Sequence, residues 1–176
     1  MTRTVLLLSG IVLLGGCTVE PTAATANIQP LATNQTSGAA EHRDVAALRA
    51  ATAQFHRIDV AQAAGYDTQF PAGCFSSPTG AMGFHWLNGA RVGTLNVTEP
   101  QLLLYEPQKN GTMKLVGVEY ILPGAPTDIP PVLFDRALEY NTTFGVWALH
   151  VWAWANNPLG IYSDWNPQVT CRYAAP

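Results

Sequence analysis

Asn110-Gly111 stands between two apolar runs, residues 101–106 and 113–122. Asn-Gly is the dipeptide best able to put two successive residues at positive φ, which a tight hairpin turn requires. Both runs are rich in Leu, Val, Ile and Tyr and have strand length. The chain is therefore expected to fold around a central antiparallel hairpin. A two-residue turn sets Lys109 opposite Thr112, Glu106 opposite Leu115 and Leu102 opposite Glu119. The two glutamates then share a face but lie about 13 Å apart at ~3.3 Å per residue, too far for one ion to hold both. A three-residue loop would send them to opposite faces, and a bulge would change the register again.

Other elements can be placed around this hairpin. Residues 42–64 are rich in alanine and free of Pro and Gly, with Gly65 as a natural stop, so they predict a helix. At 100° per residue Leu48, Ala51, Phe55 and Ile58 share its apolar face; Asp59 falls on that side and His56 at its edge. Residues 82–88 and 145–154 read as strands, 134–141 as a short helix, and the proline-rich 123–133 and the Asn/Pro-rich 156–171 as loop and turns. A helix first and antiparallel strands after it predict an α+β fold: one N-terminal helix packed on a mainly antiparallel sheet, with long Pro/Gly-rich loops.

The N-terminus has a different character. Arg3 followed by a short apolar core, residues 5–14, reads as an export signal over residues 1–16, too short to span a bilayer. Leu14-Gly15-Gly16-Cys17 resembles the lipobox of bacterial lipoproteins. That resemblance implies cleavage before Cys17 and lipid on its thiol, with the membrane as partner. Plain secretion is the competing reading. Residues 17–40 are polar and aperiodic and are expected to form a disordered tether, leaving 41–176 as a single domain of about 135 residues, enough for one core. The expected location is the cell envelope. In a Gram-negative cell Thr18 does not favour inner-membrane retention, so the outer membrane or periplasmic face is implied; otherwise it is the outer face of the plasma membrane.

Net charge is −3 and no Lys/Arg cluster exists, which disfavours nucleic-acid binding. Of three cysteines, Cys17 is assigned to lipid. Cys74 and Cys171 remain, and an even remainder in an oxidising compartment predicts a disulfide; two buried free thiols are the other possibility.

Chemistry is sought where titratable side chains interrupt apolar runs. His85, Glu106, Glu119 and His150 do so, and a buried carboxylate needs a hydrogen bond, a counter-charge or a metal. His85 and His150 with Glu119, joined by Glu106 and by His56 from the helix, would suit zinc, copper, manganese or iron. No HxH or HExxH spacing exists, so any site depends on the fold gathering distant residues. Each histidine also admits a plain structural role, which leaves a non-catalytic envelope protein as the alternative function. Trp86, Trp152 and Trp154 could instead line a ligand groove or fill the core. Phosphate-loop, nucleophile-elbow and heme-attachment motifs are absent. A His/Glu-bound metal could activate water or oxygen, but the residues specify no reaction.

The motifs Met82-Gly83-Phe84-His85, Leu103-Leu104-Tyr105-Glu106-Pro107, Val118-Glu119-Tyr120, His150-Val151-Trp152 and Trp165-Asn166-Pro167, with Phe55-His56, resemble an uncharacterised group of bacterial secreted proteins. The similarity spans about residues 45–171 and implies no known reaction.

Overall fold

The computed structural model describes residues 32–127 and 129–174. The expected signal, the lipobox and most of the expected tether lie outside the described residues. Helix α1 (Ala32–Thr52) starts ahead of the domain boundary expected at residue 41. Val45 and Leu48 anchor it in the core. Once those turns are fixed, each residue added toward the N-terminus gains a hydrogen bond at little further cost.

The single helix expected over 42–64 is broken. A 3-10 turn (Ala53–His56) follows α1, Arg57 is extended, and α2 (Ile58–Ala63) then resumes. Two hydrogen bonds explain the break. The Thr52 hydroxyl bonds back to the Leu48 carbonyl at 2.8 Å, a contact that bends helices. The Phe55 carbonyl accepts from the buried Tyr105 hydroxyl at 2.6 Å instead of continuing the helical ladder. Phe55 and Ala61 thereby both reach the core, while Arg57 and Asp59 pair in solvent. Asp59 is thus not on the buried side, as the helical projection had placed it.

Eight strands follow: β1 (Thr68–Ser77), β2 (Gly80–Leu87), β3 (Leu102–Pro107), β4 (Met113–Pro123), β5 (Val132–Leu133), β6 (Arg136–Ala137), β7 (Glu139–Asn141) and β8 (Val146–Val151). Six form one antiparallel sheet in the order β1-β2-β3-β4-β8-β7, and β5-β6 form a small ribbon. This is the expected α+β class. The helix expected over 134–141 is not present. Phe134 and Asp135 both have φ of 54°, the left-handed geometry of a tight two-residue turn joining β5 to β6. Burial of Phe134 against Tyr120, with ring centroids 5.6 Å apart, compensates that unfavourable backbone.

The β3–β4 hairpin leaves the expected register at its turn and regains it at a bulge. At the turn Gln108 bonds Thr112 and Glu106 faces Lys114, a residue out of step with the two-residue expectation. A bulge then inserts Val116 opposite the Leu104/Tyr105 step and restores the expected pairing of Leu102 with Glu119. The Val116 carbonyl accepts from the Trp154 amide at 3.1 Å.

One sheet face packs on the helices, where Leu103, Tyr105, Val118, Tyr120, Leu149 and Val151 meet Val45, Leu48, Phe55 and Ala61. The opposite face carries Leu102, Ile121 and Val146 and, further along, Leu104, Val116 and Trp152. The Cys74–Cys171 disulfide forms as expected, with Cα atoms 5.7 Å apart. It ties the C-terminal segment to β1.

Candidate metal centre

Glu119 on β4 and His150 on β8 are direct cross-strand partners. His85 comes from β2, on the far side of β3, and its cross-strand partner is Leu104. Two backbone features bring these strands to the right places. Gly117 lets β8 approach closely, since a Cβ there would lie 2.8 Å from the Val151 carbonyl oxygen. In β2, Met82 is the extra residue of a bulge against β1, and Gly83 beside it has φ of 88°. A Cβ at Gly83 would lie 2.4 Å from the Tyr105 carbonyl oxygen. Both the backbone angle and the contact therefore require glycine.

The result is a buried cluster. His85, Glu119 and His150 are 3%, 9% and 4% exposed, and one ligand atom from each lies within 4.8 Å of the other two. His85 Nε2 is 3.5 Å from Glu119 Oε2, and His150 Nε2 is 3.8 Å from Glu119 Oε1. Ligand atoms sharing a tetrahedral ion at about 2.0–2.1 Å sit roughly 3.4 Å apart. The cluster is therefore within a small side-chain contraction of that geometry and could hold a metal ion. His85 Nδ1 and His150 Nε2 are buried without a hydrogen-bond partner, an arrangement costly for a purely structural pair of histidines.

Asp164 completes the surroundings. Its Oδ1 lies 3.1 Å from His150 Nδ1, so with the proton on Nδ1 that nitrogen donates to the carboxylate, and loss of the Nε2 proton would free Nε2 to ligate an ion. Burial, reinforced by charge on His150, pushes the His85 imidazole down to about 3, so it is neutral near pH 7; the nearby Gly83 backbone opposes this, although no hydrogen bond closes at His85 Nδ1. Burial raises the Glu119 carboxyl against the pull of His150, and Asp164 adds to the rise. Burial alone would lower His150. The charge of Glu119 and the hydrogen bond and charge of Asp164, with Glu139 behind them, outweigh it and raise the imidazole. Asp164, half exposed, is held low by its bond to His150. The arrangement offers two imidazoles and one carboxylate to a cation in a site largely shielded from water.

Other sequence candidates lie elsewhere. Glu106 is fully engaged: Oε1 accepts from the Thr170 amide at 3.0 Å, Oε2 from Gln108 at 3.1 Å, and Lys114 is 3.9 Å away. It clamps the C-terminal segment beside the disulfide. His56 is exposed on the helical face, edge-on to Trp154 with centroids 4.3 Å apart. The three tryptophans do not line a common groove. Trp152 is 2% exposed, with Nε1 donating to the Ser163 carbonyl, and packs with Leu104 and Val116. Trp154 donates to Thr52 at 3.1 Å, and Trp86 packs against the helix-side core. Aromatic bulk was needed to fill the two faces of the sheet.

Asp164 and Met82 escaped the sequence reading. Asp164 sits in a turn-rich tail with nothing to mark it. Gly83 inside a strand-like run was the available signal for a bulge at Met82.

No protein-family profile, no curated protein and no solved structure matches the chain.

Proposed function

We propose that this is a lipid-anchored envelope protein whose domain binds a divalent transition metal ion through His85, Glu119 and His150. The observation that carries the metal reading is the convergence of three buried ligand groups, with His150 Nε2 facing Glu119 and left without a hydrogen-bond partner. An ion would satisfy that nitrogen and offset the buried carboxylate together. Two imidazoles and a carboxylate suit zinc, copper, manganese or iron. Three protein ligands leave a further position for water or a small molecule, the pattern of metal sites that act on a ligand. Asp164 would orient His150 and increase its basicity toward the ion.

The anchoring reading rests on Leu14-Gly15-Gly16-Cys17 and is supported by the pairing of Cys74 with Cys171, which leaves Cys17 for lipid and suits an oxidising compartment. No helix among the described residues is long and apolar enough to cross a membrane.

Metal content of the natively purified protein tests the first reading. About one ion per chain is expected, with Tm rising on addition of the matching metal to stripped protein; saturation at 100 times Kd is worth about 2.7 kcal/mol. His150→Ala should lose both effects. A parent protein that carries no metal, and whose Tm is unmoved by zinc, copper, manganese and iron, would end the proposal. Labelling with an alkyne fatty acid tests the anchor: label is expected on the parent chain and lost in Cys17→Ser.

A further inference from the structure

We propose that the ion's open position faces a small apolar chamber that takes an uncharged ligand of two or three heavy atoms, of the dioxygen, nitric oxide and carbon monoxide class; this rests on the metal reading above. His85, Glu119 and His150 border this chamber, and Glu119 and His150 also border a second space. The second space, about 250 Å³, is polar, walled by Glu139, Asn141, Thr142 and Asp164. The first is about 60 Å³ and is walled mainly by Phe70, Phe75, Leu102, Ile121, Phe144 and Val146.

Size and wall chemistry together select the ligand. At roughly 30 Å³ per water the chamber has room for about two waters, while cavities of about 150 Å³ are needed for a benzene ring. Apart from the three candidate ligands, the polar group reaching it is Asn141, whose Oδ1 is committed to the amides of Thr143 and Phe144 at 3.0 and 3.3 Å. An anion or a strongly hydrogen-bonding molecule would lose its hydration there without replacement, at about 1–3 kcal/mol per unsatisfied group. A small neutral molecule loses almost nothing and gains dispersion contacts and the metal bond. Its solvent-side wall is the pair Phe70 and Phe144, each 39% exposed, meeting edge to face with centroids 5.7 Å apart. They come from β1 and from the turn before β8, so the two rings narrow the mouth of the chamber. A mouth narrowed by two apolar rings favours small neutral molecules over bulky ones.

Two measurements on the full chain in detergent test this. Xenon, an apolar probe that needs no metal, should bind the chamber of stripped protein by xenon-129 NMR. Val146→Phe, which fills the chamber from a position that is not itself a candidate ligand, should weaken it at least tenfold; Ile121→Phe does the same from β4 if the first variant fails to fold. After anaerobic loading with Fe(II), nitric oxide should give a nitrosyl signal by electron paramagnetic resonance. The filled variant should keep its iron and lose most of that signal, and azide should not compete. Absence of xenon binding in the parent, or a nitrosyl signal unchanged by filling, overturns the chamber while leaving the metal reading intact. A chain that holds no metal of any kind overturns both.

Discussion

Glu119→Gln separates a cluster shaped to hold an ion from one kept for stability. Glu119 is 9% exposed, and burial raises its pKa even with His150 beside it. A carboxyl whose folded pKa is raised loses stability as pH climbs past its unfolded value: the unfolded chain ionises freely in water, and the folded chain ionises only against burial. The attraction of His150 is already included in that balance, so removing the charge is a net gain at pH 7. The neutral amide also brings a donor toward the two imidazoles, 3.5 and 3.8 Å away, and a buried unsatisfied group costs about 1–3 kcal/mol. Metal-free Glu119→Gln should therefore be about 1–3 kcal/mol more stable than the parent at pH 7. The assay is urea denaturation, with a higher midpoint and an unchanged slope. At roughly 3–4 °C per kcal/mol for a domain of this size, Tm should rise by about 3–12 °C. The same substitution removes the anionic ligand, so metals that raise the parent's Tm should leave the variant unmoved. A stripped variant that is instead less stable than the stripped parent by about 1 kcal/mol or more refutes the reasoning. It would make Glu119 a stabilising ion-pair partner, with no need of a metal.

Three more outcomes follow from other parts of the molecule. Asp164→Asn keeps the side-chain shape but weakens the hold on His150 Nδ1, so metal affinity by competition titration should fall about 10–100-fold; an unchanged affinity would show that Asp164 does not position the ligand. The Cys74–Cys171 bond joins positions 97 residues apart, and replacing both with serine should lower stability by up to about 4–5 kcal/mol in the chain-entropy treatment, with a loss below about 1 kcal/mol in urea counting against it. Gly83→Ala forces a Cβ to 2.4 Å from the Tyr105 carbonyl at a φ of 88°. A loss above about 2 kcal/mol is expected from strain and displacement together, and parent-like melting would contradict the bulge.

Much of the architecture was written in local chemistry. The Asn110-Gly111 turn and the apolar runs around it report on their own neighbourhood, and Cys74 and Cys171 are matched because only two cysteines remain after Cys17; the structure has the turn, the strands and the disulfide. The helix over 42–64 failed because the Thr52 hydroxyl bonds back to the Leu48 carbonyl and a tertiary hydrogen bond from Tyr105 takes the Phe55 carbonyl from the helical ladder; no local pattern shows the second of these. At the site, Glu119 was noticed because apolar neighbours surround it, and His85 and His150 for the same reason. Their convergence was not visible, because it depends on β8 pairing with β4 after three intervening short strands. Glu106 carried the same local signal as Glu119 yet serves the C-terminal segment, 64 residues away in sequence. A charged residue in a strand announces that it needs a partner without naming the partner.

The three prospective ligands are spread from residue 85 to residue 150, and Asp164 lies later still. No partial chain ending before β8 has all three groups, so the full set would be available to an ion only once β8 has paired with β4. If the proposed site is loaded, the ion would be one present where the last strands settle, and the supply in that place, more than intrinsic preference, would then determine which element is found inside.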